Sequence, residues 1–233
     1  IWEGLTSEAI YTSAKISLAE LVMSGCTTAT DHLYIYPNDS RIDDEIRAAQ
    51  EIGVRFHPNR GSMTVGESQG GLSPDSVCED ESFVFKECLR AIETYHDPDP
   101  FSMLRIGVAP CMPNTVSLDL MRESARMAAS YPFVKLHTHT SETEDDNNYT
   151  VEHYGQRPIE YCESLGWVGE HVWFAHLVKI TDAEVDWLAN TRTGACHCPS
   201  SNMILGSGIA PIRQMVDKNV RVGLGVDGTS SND

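Results

Sequence analysis

Val134-Lys135-Leu136-His137-Thr138-His139 is an apolar, extended run that ends on an imidazole, and its pattern recurs twice further on. Val172-Trp173-Phe174-Ala175-His176 ends the same way, and Val222-Gly223-Leu224-Gly225-Val226-Asp227 ends on a carboxylate. Short runs of this kind read as strands buried on both faces, the signature of a parallel sheet covered by helices. The polar residue stands at the carboxyl end each time.

Working outward, the same rhythm fills the chain. A helix from about Thr6 to Ser24 carries Ile10, Ala14, Leu18 and Leu21 at helical spacing, with Thr6 as its cap. Gly25 stops it, and a strand is expected over 26–31. Ser40 caps a helix to about Ile52, followed by a strand over 54–59. Helices near 82–96 and 117–130 lead to strands over 104–110 and 134–139. A helix over 151–162 precedes the strand at 172–176. Thr181-Asp182-Ala183-Glu184 opens a short helix as a capping box before a strand over 194–199. A last helix near 209–219 leads into a strand over 221–227.

Each interval between strands has room for a helix, so the connections are crossovers and the pairing is parallel. The fold class is therefore α/β. No Gly-x-Gly-x-x-Gly follows the first strand, which argues against dinucleotide binding. The chain opens on a helix and stops just after a strand. One further strand upstream would make eight, so the expectation is a (β/α)8 barrel of the TIM type, incomplete, with its first strand missing. It is read as one domain over 1–233, cut at both ends. The glycine-rich segment 61–81 breaks the rhythm, as a lid over a site or as a surface excursion.

Bulk properties narrow the function. The 233 residues are 41% hydrophobic and 22% charged, as in globular proteins generally. A formal charge of −17 leaves no basic excess for a nucleic-acid surface. No apolar run approaches a membrane span. Seven cysteines, an odd number without close repeated pairs, read as reduced thiols of a cytoplasmic protein. Cys196-His197-Cys198 lacks the second half of a metal knuckle. A small molecule is the expected partner, with assembly into a homo-oligomer left open.

In a parallel barrel the carboxyl ends of the strands converge on one mouth. His139, His176 and Asp227 would meet there, with Glu142 three residues beyond His139. Taken singly, a strand-end histidine is more often a packing residue. Two imidazoles with a strand-end aspartate are instead the donors of a metal-activated water site, for one divalent cation, zinc first and ferrous iron second. His137 shares the face of His139 but sits deeper, as a supporting or stacked residue. Glu142 belongs to the acidic turn 142–146 and alone would be read as solvated. Beside a cation it can move protons in a hydrolytic deamination. The metal lowers the pKa of water from near 16 to roughly 7, hydroxide attacks a ring carbon bearing an amino group, and a glutamic acid protonates the ring nitrogen. Asp227 can take the proton lost by the water.

The stretch Leu136-His137-Thr138-His139-Thr140-Ser141-Glu142 resembles the amidohydrolase superfamily in its aromatic deaminase and triazine hydrolase branch. So do Phe174-Ala175-His176, His197-Cys198-Pro199-Ser200-Ser201-Asn202 and Gly225-Val226-Asp227-Gly228. Trp2-Glu3-Gly4-Leu5-Thr6, Arg60-Gly61-Ser62-Met63 and Gly155-Gln156-Arg157-Pro158 look closest to the 8-oxoguanine deaminase group, which includes hydroxydechloroatrazine ethylaminohydrolases. The resemblance implies metal-site positions at His139, His176 and Asp227 and a proton shuttle at Glu142, with His176 also able to orient the attacking water. It implies a His-x-His pair upstream of Ile1. The lysine that bridges two metals in some members is absent from 104–110, which favours one metal. Arg60 is expected to hydrogen-bond a purine carbonyl, Ser62 and Cys111 to line the ring pocket, and His197 to touch substrate or steady the strand end. Asn202 and Ser200 are expected to organise the loop after that strand. The implied reaction is deamination of an oxidised purine, 8-oxoguanine to urate and ammonia. An s-triazine, guanine or S-adenosylhomocysteine-type substrate is the alternative, and an inactive barrel used in assembly is the reading from another class.

Overall fold

Helix α1 (Ser7–Met23) starts where its cap predicts: the Thr6 hydroxyl accepts the Ala9 N–H at 3.2 Å. In the computed structural model, residues 2–71, 73–228 and 230–231 are described. The outermost residues on which the reading of the chain ends rests (Ile1, Asn232, Asp233) and Leu72 of the 61–81 loop lie outside the described residues. The chain divides into two units, residues 1–111 with 115–135 and residues 112–114 with 136–233, taken here in turn.

In the first unit, α1 is followed by β1 (Thr28–Leu33), α2 (Ile42–Ile52), β2 (Arg55–Ser62), α3 (Glu81–Tyr95), β3 (Gly107–Pro110) and α4 (Leu118–Ala129). β1 pairs β2 in parallel from Thr28↔Arg55 to Leu33↔Arg60, and β2 pairs β3 from Asn59↔Gly107 to Ser62↔Pro110. Leu18, Ala29, Ala49, Val54 and Phe56 pack together beneath α1 and α2. Each large side chain removed from water there contributes about 1.5–3 kcal/mol. The Asp80 and Ser117 side chains cap α3 and α4. The 61–81 loop carries two single 3-10 turns, Glu67–Gln69 and Asp75–Val77, and buries Met63, Ser73 and Val77.

The second unit contains β4 from Leu136 onward (the strand is Lys135–Thr140), α5 (Glu144–Tyr154), α6 (Pro158–Ser164), β5 (Val172–His176), α7 (Asp182–Thr191), β6 (Gly194–His197), α8 (Pro199–Ile204), α9 (Ile212–Asp217) and β7 (Val222–Leu224). Its strands are all parallel, with Thr140↔His176, Ala175↔Cys196 and His197↔Leu224 in register. Leu136, Phe174, Trp167, Leu188 and Met215 are buried around them. The Thr181 capping box is present, its hydroxyl accepting from Glu184 N–H at 3.2 Å.

Several boundaries differ from the sequence expectation. The single helix over 151–162 is two helices, because Gly155 takes a left-handed φ of 69° and Pro158 begins a new first turn. α2 is capped at Arg41 and not at Ser40, with Asp44 accepting the Arg41 N–H at 3.0 Å. The first strand runs over 28–33, two residues later than expected, and the last helix is shortened to Ile212–Asp217. β7 stops at Leu224, so Asp227 stands on the loop after the strand. The six-residue α8 was not foreseen; its run Ser200-Ser201-Asn202 reads as loop because serine and asparagine are poor helix-interior residues.

Candidate metal and proton-transfer site

The second unit brings His139, His176 and Asp227 to one place. One donor atom from each lies within 4.8 Å of the others, and the rings of His139 and His176 are 5.3 Å apart. β4 and β5 deliver the two histidines from adjacent strand ends, where Leu177 N–H donates to Thr140 O at 3.3 Å and Lys179 N–H to Ser141 O at 2.8 Å. The backbone bends sharply here. Ser141, His176, Leu177 and Asp227 all have φ between 51° and 72°. Non-glycine residues hold that conformation only where surrounding structure enforces it, and such positions concentrate at functional sites.

Glu142 turns inward. The acidic turn is divided in labour: Asp146 accepts the N–H groups of Glu142 and Thr143 at 3.0 and 2.9 Å and caps α5, which frees the Glu142 side chain from capping. Its Oε2 lies 3.6 Å from His176 Nε2. Burial raises the Glu142 carboxyl above the ordinary range, against the pull of the Ser207 hydroxyl. Burial likewise lowers the pKa of the His176 imidazole, which is 3% exposed. Favouring the neutral imidazole and the protonated carboxyl, both shifts run in the direction that suits metal binding and proton transfer.

Helix α8 and the turn behind it support this cluster. Ser201 Oγ donates to Asp227 Oδ2 at 2.5 Å, and Ser207 Oγ donates to Glu142 Oε1 at 2.9 Å. Asn202 Nδ2 reaches Glu142 Oε1 at 3.3 Å and His176 Nδ1 at 3.1 Å. Ser201 and Ser207 were not anticipated, and Asn202 was expected only to shape the loop. Nothing in their spacing relative to 142, 176 or 227 could have announced these contacts. His137, expected as a supporting or a stacked residue, stacks on Trp173 with ring centres 3.5 Å apart at an interplanar angle of 11°.

The expected substrate contacts are drawn from both units. His197, in the second unit, has its Nδ1 buried without a hydrogen-bond partner, and burial lowers its pKa. Arg60, Ser62 and Cys111 belong to the first unit. Cys111 N–H donates to Ser62 O at 2.9 Å, so those two share a strand end. Arg60 is 2% exposed, its guanidinium forked onto Glu79 at 2.9 and 2.7 Å and stacked 3.9 Å from the Tyr36 ring centre.

An 8-oxoguanine deaminase of Pseudomonas aeruginosa is 40% identical, covering 100% of this chain and 52% of its own. A hydroxydechloroatrazine ethylaminohydrolase of Pseudomonas sp. strain ADP is 40% identical over 97% of this chain and 47% of its own. The crystal structure of an atrazine chlorohydrolase from Arthrobacter aurescens TC1 complexed with zinc superposes with a TM-score of 0.91 at 35% identity, covering 98% of this chain and 51% of its own. The chain thus spans about half the length of the relatives it matches. With the amidohydrolase family profile matching residues 2–233, the chain belongs to the amidohydrolase family, and its α/β fold is of that family's barrel class.

Proposed function

We propose that this chain supplies the metal and proton-transfer site of a hydrolytic deaminase acting on an oxidised purine, with 8-oxoguanine the favoured substrate and urate and ammonia the products. The observation that carries the reading is the convergence of His139, His176 and Asp227 donor atoms within 4.8 Å, beside the raised carboxyl of Glu142. Two imidazoles and a carboxylate fit zinc or ferrous iron by donor type. A divalent cation held there supplies the positive charge that makes water nucleophilic near neutral pH.

The residues divide the remaining work. Asp227 accepts a proton from the attacking water as the new carbon–oxygen bond forms. Glu142 delivers a proton to the ring nitrogen, which relieves the charge that builds up during attack. Proton return to the amino group then lets the carbon–nitrogen bond break, with ammonia as the leaving group. His176 orients the reacting oxygen. His197, at the end of β6, is proposed to touch the substrate. Ser62 and Cys111 are proposed to line the ring pocket, and Arg60 to contribute through a guanidinium shared with Glu79. The proposed setting is a cytoplasmic enzyme with a small heterocycle as its partner.

The 40% identity to the 8-oxoguanine deaminase supports the purine substrate. Equal identity to the hydroxydechloroatrazine ethylaminohydrolase favours a second reading, an s-triazine aminohydrolase. Ammonia release by the full-length protein on 8-oxoguanine, guanine and hydroxyatrazine separates them. Glu142→Gln should lower the rate on the true substrate by roughly 10²–10⁴-fold while leaving bound metal unchanged. Release from none of the three compounds would end the proposal.

A further inference from the structure

Cys196 lies in β6 and Cys198 just past its end, one on either side of His197. Side chains two apart along a strand share a face, and here both sulfurs meet the same neighbour. A Cβ placed on Gly225 would lie 2.8 Å from each Sγ, so the two sulfurs flank one point beside a residue without a side chain. Strand pairing sets this up: Cys196 is opposite Gly223, and the Gly225 N–H donates to His197 O at 2.8 Å. The thiols also hydrogen-bond each other, which lowers the pKa of Cys196 and raises that of Cys198. Cys196 is half-buried and Cys198 is 4% exposed, so a small oxidant reaches the first before the second. Cys162 on α6 is the contrast in this unit: it is fully buried, and burial pushes its thiol up to about 12. Such a thiol is inert.

We infer that Cys196 and Cys198 form a peroxide-reactive dithiol that closes into a disulfide across His197. The Cys196 thiolate attacks one peroxide oxygen: an S–O bond forms, the O–O bond breaks and hydroxide leaves, giving a sulfenic acid. The Cys198 sulfur then attacks the Cys196 sulfur, the S–O bond breaks, and the oxygen departs as water. In sum, two thiols lose two electrons and two protons, and hydrogen peroxide is reduced to two molecules of water. Two residues of strand hold the Cα atoms roughly 6.6 Å apart, the wide end of what a disulfide spans. The bond is therefore strained and readily reduced, as suits an oxidant signal in a reducing compartment. It also touches the proposed chemistry. His197, the proposed substrate contact, lies inside the closed ring, and Gly225 stands two residues before Asp227. Drawing the sulfurs together over Gly225 displaces both, so the oxidised form is the slower enzyme; this half of the inference rests on the deaminase reading.

Bond formation is read without substrate. The full-length protein, reduced and then treated with hydrogen peroxide, should lose two titratable thiols, and peptide mapping by mass spectrometry should find Cys196 linked to Cys198. Dithiothreitol should restore both thiols, and Cys196→Ser and Cys198→Ser should each abolish the link. Peroxide-treated wild type without that link, or with Cys196 carried on to sulfinic acid beside a free Cys198, overturns the inference. The second half is read as ammonia release from the substrate. Oxidation should lower kcat by roughly 10–100-fold, the scale of misplacing a reacting group by about an ångström. Dithiothreitol should reverse the loss, whereas Cys196→Ser should keep the reduced rate and not respond to peroxide. A fully linked enzyme that keeps its rate overturns that half. Absence of deamination by the reduced wild type defeats the functional reading and leaves the dithiol to stand or fall on the mapped link.

Discussion

Ser201 Oγ donates to Asp227 Oδ2 at 2.5 Å, joining helix α8 to the loop after β7 across 26 residues of sequence. Asp227 sits on irregular backbone with φ 61°, without a strand to aim it, so this hydroxyl fixes where its carboxylate points. Ser231 Oγ lies 2.9 Å behind Ser201, completing the support.

Removing that hydroxyl should therefore loosen the donor set without unfolding the chain. Ser201→Ala is expected to weaken zinc binding by roughly 10–100-fold, measured by competition with a chromophoric chelator, with an unchanged circular dichroism spectrum. Unchanged affinity would show that the contact does not hold Asp227.

Arg60 and Glu79 form a buried fork, their side chains 3% and 13% exposed. Glu79→Ala strands a guanidinium that cannot lose its proton and should cost about 3–5 kcal/mol in urea unfolding. The double variant Arg60→Met with Glu79→Leu removes both charges and should recover much of that loss. If the double variant is as unstable as the single one, packing and not charge is what the pair provides.

His57 predicts an acid-side loss of stability. Burial lowers its pKa from 6.5 to about 4, and its Nε2 is buried without a partner although the residue as a whole is half-buried. Below pH 6.5 the unfolded chain takes up a proton that the folded chain refuses until about pH 4. Its contribution is therefore intact above the unfolded value and declines as pH falls through that window, by up to ~3 kcal/mol before allowance for partial solvation. Urea midpoints for His57→Asn should fall less steeply than wild type between those two pH values. Parallel curves would contradict the assignment.

Gly225 is required by sulfur. A Cβ there would stand 2.8 Å from both Cys196 Sγ and Cys198 Sγ, closer than real carbon–sulfur contacts allow. Gly225→Ala should cost about 1–3 kcal/mol through forced displacement, read as a lower melting temperature. In a Cys196→Ala, Cys198→Ala background the same change should be tolerated. An equal loss in both backgrounds would place the strain elsewhere.

Local chemistry was legible along the chain wherever a decision is made within a few residues. The Thr6 and Thr181 caps, the 172–176 strand and the parallel helix–strand alternation follow from side-chain period, capping oxygens and the length needed for a crossover. The donors themselves, His139, His176, Asp227 and Glu142, were legible because they stand at or just after the ends of apolar runs. The 151–162 helix misled, because its apolar spacing runs on past a glycine whose left-handed turn breaks it.

What only tertiary structure decided is how those donors are held. The contacts of Asn202 and Ser207 with Glu142 span 60 and 65 residues, and that of Asn202 with His176 spans 26. No periodicity encodes a hydrogen bond between side chains so far apart; it exists only once the strand ends and the turn after α8 have been brought together by packing. The sequence by itself determined which groups could do chemistry, since that is a property of residue type and strand position. Their orientation and proton affinity came from burial and from neighbours that the fold alone assembled.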